Sequence, residues 1–306
     1  MSQRIVSIGE CMVELAPSGQ QDHYALGFAG DTFNTAWYAR KLLPAAWSVD
    51  YVTAVGSDAI SRRMTGFLEE CGIGTTHIER RSDSTIGLYM IELKDGERSF
   101  SYWRSDSAAR RICQSPERLE AALDGAEIAY FSGITIAILS PEDRETLLSQ
   151  LRAARDKGTR IVFDTNLRPK LWEDEATMCR AVMDAARVSD IVLPSHDDEA
   201  TYFGDADPHA TLERYRDAGP TTIVVKNGPG EMVSLADGQV TSHVVEPSQS
   251  VVDTTAAGDS FNAGFLSASL RGADHTSALI AGAEVAAFVI GHRGALVELD
   301  AATFVS

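Results

Sequence analysis

The chain of 306 residues has few cysteines, no long apolar run and a deficit of basic residues. Its four cysteines lie 60, 42 and 66 residues apart, without a C-x-x-C pair. This spacing is not that of a zinc site or a disulfide framework, and it favours reduced thiols in a cytoplasmic protein. The N-terminus lacks the apolar region of a signal peptide, and the most apolar stretch, at about residues 279–290, is too short to span a bilayer. We therefore expect no membrane contact.

The charge balance argues against a nucleic-acid partner. Lys and Arg total 27 against 44 Asp and Glu, which gives a net charge of −17. Proteins that bind a phosphate backbone usually carry positive charge, and the densest basic spots here are pairs such as Arg62-Arg63. The sequence also has no G-x-x-x-x-G-K-[ST] motif, and no G-x-G-x-x-G follows the first apolar run. These absences exclude a P-loop protein and argue against dinucleotide binding.

Short apolar runs, several of them rich in Val and Ile, alternate with helical patterns along most of the chain. These candidate strands cover residues 5–8, 51–55, 128–132, 161–164, 191–194 and 222–226. Such alternation predicts an α/β fold with a doubly wound, mostly parallel sheet flanked by helices. Residues 141–157 are typical of one such helix, since Ser140 can cap its start and Gly158 follows its end.

Two stretches break this alternation, at about residues 11–30 and 84–107. The second contains two β-rich runs around Lys94-Asp95-Gly96-Glu97, and the Asp-Gly pair favours a hairpin turn. A hairpin cannot join a parallel sheet without a crossover. We therefore expect residues 1–306 to form one α/β domain, with the two stretches inserted in it as a small β-sheet lid over the active end of the main sheet.

The strongest chemical signal is D-T-T-A-A-G-D-S-F-N-A-G, which runs from Asp253 to Gly264. A helix over about residues 258–270 would present free backbone N–H groups at its N-terminus, where the helix dipole favours an anion. A carboxylate at Asp259 would repel a phosphate, but it suits a base that takes the proton of an attacking hydroxyl. The spacing alone equally allows a structural interpretation, in which Asp259 is an ordinary first-turn residue.

This run resembles the signature of the ribokinase-like (PfkB) carbohydrate kinases. G-D-T-F-N-T-A, at residues 30–36, is similar to that family's sugar-binding motif in the form found in its 2-keto-3-deoxygluconate kinases. Further matching pieces occur in the same order at residues 9–15, 87–89, 102–104, 164–169 and 197–199. The resemblance extends from Ile5 to about Val297. It implies a mostly parallel sheet with helices on both faces, a β-sheet lid and, in many members, a homo-oligomer that forms through the lid.

The resemblance also implies roles in phosphoryl transfer. Asp259 corresponds to the catalytic base, and Ala256, Ala257 and Gly258 correspond to the anion hole that stabilises the transferring group. Some members have glycine at the Ala256 position, and we expect alanine there to have little cost because the N–H groups remain. Phosphoryl transfer needs mainly positioning and charge neutralisation, which these residues would supply.

For the acceptor, the resemblance implies a sugar acid. The implied substrate ligands are Gly30, Asp31, Asn34, Tyr89, Tyr102, Arg104, Arg168 and Asp259. A guanidinium grips a carboxylate in a fork, whereas a neutral sugar has little need of one, so Arg104 and Arg168 favour an acidic acceptor. The implied reaction is ATP-dependent phosphorylation of the C6 hydroxyl of 2-keto-3-deoxygluconate by direct in-line transfer, which gives the 6-phosphate and ADP.

The expected cofactors are ATP and Mg²⁺, with K⁺ left open. The residues expected at the nucleotide are Ser195, Lys226, Gly228, Gly230, Glu231 and Gly258. Their glycines let a backbone approach a nucleotide closely, although Gly-Pro-Gly is also an ordinary hairpin turn. Many members have Asn-x-x-Glu near magnesium, but this sequence has Ser195 and Asp198, so Asp198 would act through a bridging water. Asp253 and Thr255 match positions that bind a monovalent cation in some members.

Two other functions stay open from the sequence. One is a kinase for a neutral sugar such as fructose or ribose, against which Arg104 and Arg168 argue. The other is a catalytically silent sugar-binding protein on the same fold, against which the intact Asp259 argues. No residue visibly distinguishes the gluconate from the galactonate epimer of a 2-keto-3-deoxy acid.

Overall fold

The computed structural model of the chain describes residues 3–20, 22–94, 97–244 and 250–304, without the side chains of residues 93, 94, 97 and 98. The predicted hairpin turn at Asp95-Gly96 lies outside the described residues. Within them, no helix is long and apolar enough to cross a membrane.

Strands and helices alternate along the chain, as the sequence predicts. The strands are β1 (Arg4–Ile8), β2 (Met12–Pro17), β3 (Tyr24–Ala29), β4 (Ser48–Val52), β5 (Ala54–Gly56), β6 (Glu79–Arg81), β7 (Leu88–Lys94), β8 (Glu97–Trp103), β9 (Ile128–Ser132), β10 (Arg160–Asp164), β11 (Ile191–Val192), β12 (Thr222–Val225), β13 (Met232–Ala236) and β14 (Gln239–His243). The helices are α1 (Asp31–Leu42), α2 (Ala59–Glu70), α3 (Pro116–Leu123), α4 (Gly133–Ala137), α5 (Pro141–Asp156), α6 (Glu175–Arg187), α7 (His196–Phe203), α8 (Pro208–Ala218), α9 (Ala257–Leu270) and α10 (His275–Ile290). Short 3₁₀ helices occupy Ala108–Arg111, Pro169–Leu171 and Ala301–Thr303.

The main sheet has the strand order β4-β1-β9-β10-β11-β12-β13-β14. The strands from β4 to β12 in this order are parallel, and β13 and β14 extend the sheet as antiparallel strands. Alternate residues of β9 belong to two different apolar clusters, because successive side chains of a strand point to opposite faces. Helices α3, α5, α6 and α8 cover one face, and α1, α2, α9 and α10 cover the other. The predicted doubly wound, mostly parallel sheet is confirmed.

The boundaries of individual elements differ in places from the prediction. A single strand over residues 51–55 is wrong: the chain leaves the main sheet after β4, and β5 pairs with β6 in a separate two-stranded sheet. Strand β11 ends before Pro194, which has no N–H for a ladder hydrogen bond. Helix α5 begins as predicted, with the Ser140 hydroxyl accepting a hydrogen bond from the Asp143 N–H.

A second sheet of four strands stands apart from the main sheet, in the order β3-β2-β7-β8. It is built from the two stretches that break the α/β alternation, which confirms the expected small separate sheet. One face packs Met12, Ala29, Tyr89 and Ile91 with Ala295. On the other face, Val13 and Phe28 join the apolar cluster of α1 and α2. On β8, Trp103 is exposed at 58% of its full accessibility.

Candidate active site

The candidate site lies at the carboxyl ends of the parallel strands, where doubly wound sheets bind ligands. Strand β10 ends at Asp164, and β12 is followed directly by Lys226. Helix α9 contributes its first two turns to the same region, because the Lys226 ammonium lies near Gly258 and reaches both Asp164 and Asn262. The structure therefore brings the end of β10, the end of β12 and the start of α9 together.

The N-terminus of α9 has the geometry expected of an anion site, with one correction. The first N–H groups of a helix have no partner within it, although the Ala257 N–H is also 3.2 Å from the Thr254 carbonyl oxygen. Ala256 precedes the helix with φ +59°, in the left-handed region. An alanine there costs about 1–2 kcal/mol relative to its ordinary conformations. The expectation that Ala256 has little cost is therefore wrong, because that expectation counted N–H groups and not backbone angles.

Asp259 occupies the first turn of α9 and is partly buried. Its Oδ2 accepts a hydrogen bond of 2.8 Å from the Nδ2 of Asn34. Burial raises the pKa of the Asp259 carboxyl well above its ordinary value, and the negative charge of Asp31 raises it further. A carboxyl with a raised pKa is a stronger base once ionised, which suits the removal of a proton from a hydroxyl.

The Lys226 side chain points to the end of β10 and to α9, and not out along the loop that follows it. Its Nζ is 3.0 Å from Asp164 Oδ1 and 3.1 Å from Asn262 Oδ1. A Cβ added to Gly258 would lie 3.6 Å from the same Nζ, so the ammonium stands at the start of α9. Asp164 and Asn262 were not predicted as site residues. The available signals were the strand end at Asp164 and the spacing of three residues between Asp259 and Asn262, which puts both on one helix face.

The sugar-binding motif begins α1 and is in contact with two other loops. Gly30 precedes the helix, and a Cβ there would overlap the Glu10 carbonyl oxygen, so glycine is required for this close approach. Asp31 Oδ2 accepts a hydrogen bond of 2.9 Å from Asn166 Nδ2. Asn34 accepts weakly from the Gly30 N–H, at 3.3 Å, while its amide group contacts Asp259. The structure therefore connects the predicted acceptor residues to the predicted base.

The two predicted arginines are each paired with a carboxylate of the chain. Arg104 follows β8 and forms a salt bridge with Glu10 in which both side chains are buried. Arg168 lies 3.7 Å from Asp198, and its side chain is 51% exposed. Burial raises the pKa of Asp198, and the Arg168 charge opposes that rise.

The two predicted tyrosines face each other across β7 and β8. Tyr89 and Tyr102 are direct partners in the strand register, with ring centroids 5.9 Å apart. The buried Tyr89 hydroxyl donates to Glu14, and Tyr102 is 54% exposed. The structure therefore puts both rings on the small sheet, one buried and one open to solvent.

The expected nucleotide loop is the connection between the antiparallel strands β12 and β13. The Gly230 N–H donates to the Asn227 carbonyl at 2.7 Å, and Gly228 has φ +51°, which favours glycine. Asn227 Nδ2 also donates to the Glu231 carbonyl at 3.1 Å. Ser195 precedes α7 and bridges to Lys226 through the backbone, so it lies beside the start of this loop.

Side chains that would hold metal ions are sparse in this region. The residues that the structure describes contain no group of three or more His, Cys, Asp or Glu arranged to hold a metal. Mg²⁺ needs only one or two carboxylates beside nucleotide phosphates and water. The Asp198 carboxylate lies near enough to Asp164 that, besides burial, the Asp164 charge raises the pKa of Asp198. Asp253 closes a loop: its Oδ1 accepts from the Thr255 hydroxyl at 2.7 Å, and its Oδ2 accepts from the Gly294 N–H at 2.7 Å.

Comparison with known proteins identifies the family to which the chain belongs. The family model described as "pfkB family carbohydrate kinase" matches residues 2–302. The chain belongs to this family, which confirms the resemblance found in the sequence.

Particular relatives are similar over nearly the whole chain. A 2-dehydro-3-deoxygluconokinase of Dickeya dadantii (strain 3937) is 39% identical, with 98% of each chain covered. A protein of the same name from Escherichia coli (strain K12) is also 39% identical, with 98% of this chain and 99% of the relative covered. The solved structure of 2-dehydro-3-deoxygluconokinase from Thermotoga maritima is similar in fold, with a TM-score of 0.83, 22% identity and 99% of each chain covered.

Proposed function

We propose that this protein catalyses the ATP-dependent phosphorylation of the C6 hydroxyl of 2-keto-3-deoxygluconate, also called 2-dehydro-3-deoxygluconate, to the 6-phosphate and ADP. The observation that carries the proposal is the 2.8 Å hydrogen bond between Asn34 and Asp259. It links the proposed sugar-binding motif to a carboxyl at the start of α9, the proposed anion site, so an acceptor hydroxyl and a phosphoryl group would meet at one point. The names of the two relatives at 39% identity support this acceptor.

In the proposed reaction, Asp259 takes the proton of the C6 hydroxyl as its oxygen attacks the γ-phosphorus. A bond forms between that oxygen and phosphorus, the bond from phosphorus to the bridging oxygen breaks, and ADP leaves with the electron pair. Backbone N–H groups of Ala257 and Gly258 would stabilise the transferring group, as would the Lys226 ammonium beside them. The proton then rests on Asp259, whose raised pKa favours holding it.

Acceptor recognition would combine hydroxyl ligands with a carboxylate clamp. Gly30, Asp31 and Asn34 would bind the hydroxyls, and Arg104 and Arg168 would bind the carboxylate. Tyr89 and Tyr102 would cover the acceptor from the small sheet. We propose that residues 11–30 and 84–107 act as a lid of the single domain, because closure over the site would keep water from the γ-phosphate.

ATP would lie along the β12–β13 loop and the start of α9. The residues proposed to contact it are Ser195, Lys226, Gly228, Gly230, Glu231 and Gly258. When bound, Mg²⁺ supplies charge neutralisation to the phosphates, and Asp198 would contact it through water. We propose K⁺ as a further ligand near Asp253 and Thr255.

Location and assembly belong to the same proposal. The free cysteines among the described residues are consistent with a reducing cytoplasm. A homo-oligomer is proposed to form through the small sheet, where Phe100, Tyr102 and Trp103 are between 43% and 58% exposed. Aromatic residues are enriched at protein interfaces, which supports this surface.

The test is ADP release with Mg-ATP, measured with 2-keto-3-deoxygluconate, 2-keto-3-deoxygalactonate, gluconate, fructose and ribose. Turnover of the keto-deoxy acids alone is the expected result. Turnover of fructose or ribose in their place would retain the kinase and contradict the carboxylate clamp. A lack of ADP release with all five acceptors would contradict the proposed substrate class.

A further inference from the structure

One buried carboxylate at the site has no part in the proposed reaction. Glu10 follows β1 after a single glycine, and its side chain is 1% exposed. It forms a salt bridge with Arg104, whose side chain is 9% exposed. The second carboxylate oxygen, Oε1, has no hydrogen-bond partner within the described part of the chain, and neither has Arg104 Nε.

Glu10 also lies between two parts of the molecule that the acceptor would contact. Its carbonyl oxygen is in close contact with Gly30, the first residue of the sugar-binding motif. Its Oε1 would be 2.8 Å from a Cβ added to Gly87, which precedes β7 of the small sheet. Arg104 Cβ would lie 3.2 Å from that same added Cβ. Glycine at position 87 makes room for both side chains of the pair, and glycine at position 30 makes room for the Glu10 backbone.

The burial of both charges restricts what Arg104 can do. A buried carboxylate left without its partner is strongly destabilising, so Arg104 cannot leave Glu10 without cost. A long arginine side chain is otherwise flexible, and ordering it on ligand binding opposes affinity. In this structure the salt bridge with Glu10 orders the guanidinium.

We propose that Glu10 is a positioning residue for acceptor recognition: it holds the Arg104 guanidinium so that the remaining N–H groups at its free end take the carboxylate of the acceptor. This inference rests on the proposed function, because the carboxylate is that of the sugar acid. Glu10 itself does not touch the acceptor's reacting atoms. Its effect is to present a guanidinium with a fixed direction to a charged group.

The test is a double-mutant cycle with 2-keto-3-deoxygluconate as the varied substrate. We expect Glu10→Ala and Arg104→Ala each to raise KM at least tenfold, with kcat reduced less than threefold. In the Arg104→Ala background, adding Glu10→Ala should raise KM no further, since the residue it positions is gone. Glu10→Gln retains a carbonyl oxygen as acceptor for Arg104, and we expect its KM to stay within threefold of wild type.

A matched control separates recognition from stability. Arg4 and Asp50 form another ion pair at the opposite end of β1, with an N–O distance of 3.1 Å. Asp50→Asn should lower the melting temperature and leave KM unchanged. The Glu10→Ala/Arg104→Ala double variant removes both buried charges together, so it keeps the cycle measurable if Glu10→Ala alone folds poorly.

Three results would overturn the inference. The first is an unchanged KM in Glu10→Ala. The second is that Glu10→Ala raises KM by the same factor in the Arg104→Ala background as in wild type. The third is a KM in Glu10→Gln as high as in Glu10→Ala. Failure of the wild-type enzyme to turn over any sugar acid would contradict the proposed function, and this role with it. Normal wild-type turnover with any of the three results would contradict the role of Glu10 alone.

Discussion

The start of α9 and the small sheet differ in how far their side chains are held by contacts with the rest of the chain. At α9, Lys226 is paired with Asp164 and Asn262, and Asp259 is held by Asn34. On the small sheet, Trp103 is 58% exposed. The groups proposed for phosphoryl transfer are therefore held by contacts within the chain, whereas the surface proposed to cover the acceptor is open.

The largest effect on activity is expected at the start of α9. Asp259→Asn removes the base and retains the size of the side chain, so kcat should fall by about 10²–10⁴-fold. KM for the acceptor should change little, because Asn34 and the arginines remain. Coupled ADP release measures both. Asp274→Asn, at the N-cap of α10, is a control that should leave kcat unchanged. Retained activity in Asp259→Asn would refute the assignment of the base.

A smaller effect is expected on the side of acceptor recognition. Arg168→Ala should raise KM for 2-keto-3-deoxygluconate by roughly 10–100-fold, as expected for the loss of a charge-assisted contact of about 1.5–3 kcal/mol. The melting temperature of Arg168→Ala should stay close to that of wild type, because an exposed ion pair such as Arg168–Asp198 contributes little to stability. Lys170→Ala, two residues further along the chain, is the matched control. An equal rise of KM in Arg168→Ala and Lys170→Ala would contradict the proposed carboxylate clamp.

The raised pKa of Asp259 should make both stability and activity depend on pH. A carboxyl whose pKa is higher in the folded state stabilises that state at low pH, and the contribution is lost as pH rises through the folded pKa. Asp259→Asn should therefore melt about 2–4 °C above wild type at pH 8. The difference should shrink as the pH is lowered, while wild-type kcat falls because the base becomes protonated. Thermal melts of both proteins from pH 5 to pH 8.5 measure this, and a constant difference would contradict it.

The smallest effect concerns the left-handed residue before α9. Ala256→Gly relieves the strain at φ +59°, although glycine also gains entropy in the unfolded chain, so we expect a net gain of about 0.5 kcal/mol. Ala257→Gly is the matched control, because that residue is helical and should lose up to about 1 kcal/mol. Chemical denaturation measures both free energies of unfolding. A loss of stability in Ala256→Gly would contradict the strain.

The sequence predicts the parts of this molecule that depend on local pattern. Alternating apolar runs predict the parallel sheet, and the helix expected at about residue 258 begins at Ala257. The sequence predicts a single strand over residues 51–55, because an apolar run does not show which other strand each of its halves pairs with. The direction of the Lys226 side chain and the pairing of Arg104 with Glu10 depend on contacts 36 to 94 residues apart in sequence, which periodicity does not encode.

The small sheet also has a consequence for how the chain folds during synthesis. Its central pairing joins β2 to β7, with Val13 opposite Leu88, so about 75 residues separate the two partners. At roughly 5–20 residues per second, β7 emerges from the ribosome about 4–15 s after β2. Until then the β2–β3 hairpin has an unpaired edge that other chains can join. The sheet that would cover the acceptor is thus exposed to misassembly through this part of translation.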